Sequence, residues 1–154
     1  MLNKKLVALF ATAIVTTSLF VGCGEKKAED ASGTKTEQGF TGVKKAEIAG
    51  EKDTTIAEVT FENGTPVAVN IDSKNADGSM KSEASASGAY DMKNDGKKWH
   101  EQVDLLEEAI VDNKFDLSKI NITDEEGHTD AVSGVSIKVG DYVKAVQEAL
   151  DQAK

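Results

Sequence analysis

The sequence predicts an α+β domain carried behind an export leader. Three observations carry this: two alternating strands joined by Asn63-Gly64, two later stretches with apolar residues at helical spacing, and an apolar N-terminus ending at a lone cysteine. At 154 residues the chain has room for one domain of ordinary size once the leader is set aside.

The leader comes first. Lys4 and Lys5 precede 17 uncharged residues, Leu6 to Gly22, which end Leu19-Phe20-Val21-Gly22 directly before Cys23. A positive start, a short apolar core and a small residue at the cut read as a secretory signal over 1–22. A transmembrane helix is the alternative, but the stretch is broken by Thr12, Thr16, Thr17 and Ser18 and sits at the short edge of the roughly 17–25 residues a span needs. From Leu19 to Cys23 it resembles the bacterial lipobox, which implies a lipid thioether on Cys23 and a place on the outer face of the cell membrane. Cys23 is the only cysteine, so no disulfide can form within one chain.

Residues 23–39 hold the lipidated Cys and a linker of Glu, Lys, Asp, Ser and Gly with alanines as almost its only apolar side chains. Such a composition buries too little to offset chain entropy and predicts a disordered stalk with a reach of about 20 Å. Loss of Lys4 and Lys5 with the leader leaves 16 basic and 27 acidic residues, a net charge of −11. That sign disfavours nucleic acid and anionic lipid as partners and leaves the lipid as the membrane contact.

The folded domain is expected over 40–154. A strand around Gly42 to Ile48 precedes the hairpin. Alternation then puts Val59 and Phe61 on one face of the second strand, and Val67, Val69 and Ile71 on one face of the third. Asn63-Gly64 supplies the positive φ angles of a type I′ turn, and Pro66, the only proline, falls where a missing amide donor costs least. From Ser73 to Gly96 no period is visible and an irregular loop is expected. Trp99, Val103, Leu106 and Ile110 then mark an amphipathic helix with Asp95 as its cap. Tyr142 or Val143, Val146 and Leu150 mark a second helix, with Asp141, Lys144, Glu148 and Asp151 outside.

Between the helices lies the segment 129–140, a Gly-containing turn crowded with hydroxyls before a helix N-terminus. Free amides there, with hydroxyls beside them, suit a phosphate; a tight connection between elements is the plainer reading. Within it, Asp130-Ala131-Val132-Ser133-Gly134-Val135-Ser136 and the helix after it resemble the DxxSGAT motif and terminal helix of the FMN-binding domain family, whose members include surface flavoprotein lipoproteins. The stretch Lys98-Trp99-His100-Glu101-Gln102 is similar to the lipoprotein branch. The resemblance implies that a flavin transferase cuts FAD and joins FMN through a phosphoester to Ser136, with Asp130, Ser133, Gly134 and Val135 forming the rest of the motif. It also implies an electron carrier rather than a stand-alone catalyst, receiving electrons from a membrane quinol-oxidising partner. Val135 stands where the family usually has Ala, adding an isopropyl group beside the acceptor, and Ser136 where Thr is commoner. The alternative is a surface binding or interaction lipoprotein that keeps the fold without flavin.

Other conspicuous residues have plainer readings. Trp99 and Tyr90 offer aromatic faces to a flavin, but a Trp on a helix's apolar stripe is mostly core. His100 and His128 lie 28 residues apart with no further cysteine to complete a zinc site, and no metal is expected. Asp124-Glu125-Glu126 lacks the spacing of a calcium loop, and Ser133 has no GxSxG frame. Asn63-Gly64-Thr65 and Asn121-Ile122-Thr123 match the glycosylation triplet, which is idle in a bacterium.

Overall fold

The computed structural model describes residues 39–92 and 96–154. The expected leader, Cys23, the linker through 38 and the expected cap Asp95 lie outside these residues.

Three strands, β1 (Gly42–Ala49), β2 (Asp53–Glu62) and β3 (Thr65–Asn75), form an antiparallel sheet in sequence order. The β2–β3 turn has Asn63 at φ 50° and Gly64 at φ 80°, the left-handed pair a type I′ hairpin needs. Thr60 pairs with Ala68 but Phe61 pairs with Pro66, so Val67 is an extra, unpaired residue. This bulge breaks the expected alternation. Ile71 is buried, whereas Val67 is 38% exposed, because one inserted residue turns the side chains before it to the other face.

Two helices cover one face of the sheet. α2 (Trp99–Asp112) packs on β3, and α3 (Gly140–Asp151) packs on β1 and β2. Trp99, Val103, Leu106 and Ile110 are all buried, as their spacing predicts, against Val59, Phe61 and Ile71. In α3 Tyr142 and Val146 are buried, and so are Ala145 and Ala149, whose small side chains let the helix approach the sheet closely. The outer face carries exposed Lys45 and Glu47 and half-buried Glu58, as a sheet wet on one side should. The architecture is α+β.

The middle of the chain is more ordered than its composition suggests. β3 continues to Asn75, and Lys81–Ser87 forms a short helix, α1, ended by Gly88 at φ 81°. Tertiary polar contacts fix it. The Ser82 amide donates to Asp72 at 3.0 Å, and buried Ser85 meets His100 Nδ1 at 2.9 Å. The start of α2 is closed by its own Glu101, which accepts the Lys98 amide at 2.7 Å.

Candidate functional site

The segment 129–140 alternates between core and surface. Val132, Val135, Ile137 and Val139 are buried, while Asp130, Ser133, Gly134, Ser136 and Lys138 face out. Thr129 anchors its start by donating its hydroxyl to the Ile120 carbonyl and accepting the Ala131 amide at 3.1 Å. The Val135 side chain therefore enters the core, away from the surface on which the Ser136 hydroxyl is exposed. The expected crowding of the acceptor by an isopropyl group is not what this geometry gives.

A turn at Val132-Ser133-Gly134-Val135 is closed by the Val135 amide donating to the Val132 carbonyl at 3.2 Å. Gly134, third in the turn, has φ 84°, as a type II turn requires. It is also a close approach. A Cβ there would lie 3.1 Å from Leu105 Cδ1 and 3.3 Å from Lys97 Cε. Glycine thus lets the loop lie on α2 and brings the lysine stem against the motif.

The loop after the turn is held by Gln102, a residue of the Lys98–Gln102 stretch for which the sequence predicts no role of its own. Gln102 is 1% exposed, and its Oε1 accepts the Ser136 amide at 2.7 Å and the Ile137 amide at 3.2 Å. The Ser136 hydroxyl reaches the same oxygen at 3.3 Å, a long contact for a hydroxyl. On its other side Gln102 Nε2 donates to the Lys97 carbonyl at 2.8 Å and approaches Met92 Sδ at 3.7 Å. The signal was available: Gln102 lies three residues after Trp99 and four before Leu106, a polar residue on the apolar stripe.

At the start of α3 two of the amides are taken by protein, while those of Asp141 and Tyr142 keep the open N-terminal position of any helix's first turn. The Val139 and Gly140 amides donate to the Gly127 carbonyl at 2.7 and 3.2 Å, and Gly127, at φ 91°, packs directly on Gly140. With those of Val135, Ser136 and Ile137, five of the amides from Val135 to Gly140 have protein partners. Among the described residues, Asp130 and Ser133 share the loop with Ser136 but make no hydrogen bond to it.

The aromatic candidates divide. Trp99 is core: it donates Nε1–H to Tyr142 at 3.1 Å and meets that ring edge-on at 6.2 Å. Tyr90 is 37% exposed, and Lys81, paired with Asp53 at 3.0 Å, lies 5.0 Å from its ring and 5.4 Å from that of Trp99. His128 pairs with Asp124 at 2.7 Å, and the bonds from His128 hold the Asp124 carboxyl below its ordinary range. Beside the motif, Lys97 and Leu105 also line a groove of about 590 Å³ with Val69, Glu101, Asp104 and Glu107. Burial raises Glu107 from 4.5 to about 7, helped by Asp104 and Asp72 and opposed by the Ile71 amide that it accepts. Among the described residues no helix is long and apolar enough to cross a membrane.

No protein-family model matches the chain, and no curated protein matches it either. It is similar to a Clostridium thermocellum protein whose structure was solved by solution NMR. The two are 30% identical over 74% of this chain and 92% of the other, with a TM-score of 0.55. The chain belongs to the family of that protein. The shared span is long enough to take in the sheet, the helices and the loop between them.

Proposed function

We propose that this protein is a lipid-anchored, extracytoplasmic carrier of covalently attached FMN, with Ser136 as the attachment residue. The observation that carries the reading is an exposed hydroxyl at the acceptor position of the Asp130–Ser136 motif, on a loop whose backbone is fixed from beneath. The residues present fit the group. Ser136 supplies the ester oxygen, Gly134 lets the loop lie close on Leu105 and the Lys97 stem, and the ammonium at the end of that stem would offset the charge of the phosphodiester. The adjoining shallow groove offers Val69, Leu105 and Val111 as apolar surface to a flavin ring, while its carboxylates Glu101, Asp104, Glu107 and Glu108 would keep the phosphate at the Lys97 end. When bound, FMN supplies one- and two-electron transfer, and this chain's task is to hold and orient it. A lipid on Cys23 and a linker of about 20 Å would keep the carrier within reach of a membrane quinol-oxidising partner.

The test is the intact mass of the mature protein after co-expression with a flavin transferase, beside Ser136→Ala. The expected result is a mass gain of one FMN less water, absent from the control, and a yellow colour that survives denaturation. A mature protein without flavin absorbance would refute the reading and favour a non-redox surface module. A colour lost on unfolding would instead mean reversible binding.

A further inference from the structure

We propose that Gln102 is the positioning residue that makes Ser136, and not Ser133, the hydroxyl that accepts the FMN phosphoryl group; this rests on the flavinylation reading above. Two serines of the motif are exposed on one short loop, and both present a hydroxyl of the same chemistry. Their backbones differ. Ser136 is tied through its own amide and that of Ile137 to one buried oxygen, whereas Ser133 sits in the turn with no bond to Gln102.

The orientation of the Gln102 amide is fixed by its surroundings. One side offers the Lys97 carbonyl and the Met92 thioether, both acceptors, and the other offers two backbone N–H donors. Only Nε2 toward Lys97 and Oε1 toward the loop satisfies both sides. The two amides use the two lone pairs of Oε1, so the Ser136 hydroxyl at 3.3 Å is a third, loose partner. Its oxygen is therefore placed but not consumed.

In the transfer, Ser136 Oγ attacks the phosphorus on the FMN side of FAD. The Oγ–P bond forms, the bond from that phosphorus to the bridging oxygen breaks, and AMP leaves with the electron pair. The hydroxyl proton passes to a base of the transferase or to solvent, and nothing is oxidised or reduced. Gln102 takes no proton, because an amide carbonyl is too weak a base. It contributes by fixing where Oγ stands, and a displacement of about 1 Å at a reacting atom can cost on the order of a hundredfold in rate.

The experiment uses the full mature chain co-expressed with a flavin transferase, as wild type, Gln102→Met, Gln102→Glu and Ser136→Ala. Modification is followed by intact mass and located by peptide mapping, and amide exchange at Ser136 and Ile137 is measured on flavin-free protein. Met keeps the apolar packing but removes the acceptor; Glu, protonated at this buried position, keeps an acceptor oxygen toward the loop and an O–H donor toward the Lys97 carbonyl. The Met variant is expected to exchange those amides at least about tenfold faster and to lose at least about tenfold in Ser136 modification, while Glu restores both to within about threefold. A purely structural role would instead make modification follow thermal stability in both variants. If the Met variant does not fold, Gln102→Asn, which draws the oxygen back by one methylene, is read in the same way. Wild-type modification of Ser136 in the Met or Asn variant overturns the inference alone, whereas an unmodified wild type overturns the functional reading and this inference with it.

Discussion

Glu107 makes the stability of this domain depend on pH near neutrality, in the opposite sense to an ordinary surface carboxylate. It lies on the face of α2 turned to β3, where its Oε1 accepts the Ile71 amide at 2.5 Å. Burial lifts its titration from 4.5 to about 7, and the charges of Asp104 and Asp72 push the same way. The folded state then binds a proton that the unfolded chain has released, so stability is full below about 4.5 and falls as pH rises through about 7. At about 1.4 kcal/mol per pH unit the shift is worth about 3.4 kcal/mol, and partial exposure to solvent reduces this to about 2 kcal/mol. Glu107→Gln keeps the shape and the acceptor for Ile71 but cannot ionise. Urea unfolding of both proteins between about pH 4.5 and 8 should show the Gln variant gaining about 2 kcal/mol on wild type across that window, or several degrees in Tm. A difference that stays constant over the window would refute the argument.

Gly134→Ala should lower stability by about 1–3 kcal/mol in urea unfolding, from the strain of φ 84° and from the 3.1 Å approach to Leu105 Cδ1. Val135→Ala removes two methyl groups from the core and should cost about 2 kcal/mol, while leaving the rate of Ser136 flavinylation unchanged. Faster modification without loss of stability would show that the valine does shield the acceptor.

The fold was legible wherever a period or a turn signal was strong. Asn63-Gly64 specified the hairpin, and the Trp99 to Ile110 spacing specified α2, because these patterns reflect burial directly. The bulge at Val67 was not legible, since nothing in Pro66-Val67-Ala68-Val69 marks which residue loses its pairing partner. Helix α1 was hidden because it depends on Ser82 bonding to Asp72 and Ser85 meeting His100, contacts between positions 10 and 15 residues apart. In the candidate site the Gly134 turn and the exposed position of Ser136 were readable from the motif. A polar residue on the apolar stripe marked Gln102 as a buried amide, but its partner was not readable, because Ser136 is 34 residues away and only the tertiary fold brings them together.

How the loop uses its amides bears on how a flavin would be held. A reversible phosphate site depends on unpaired N–H groups aimed at the anion. Here the amides of Ser136 and Ile137 go to Gln102, and those of Val139 and Gly140 go to the Gly127 carbonyl. A net charge of −9 adds a general repulsion toward any free anion, against which Lys97 is a local offset. An ester has different needs: one reachable hydroxyl, a backbone that does not move, and room for the phosphate outside. The two Gln102 bonds that take amides out of anion binding also hold the Ser136 backbone, which is the rigidity that the proposed ester asks for.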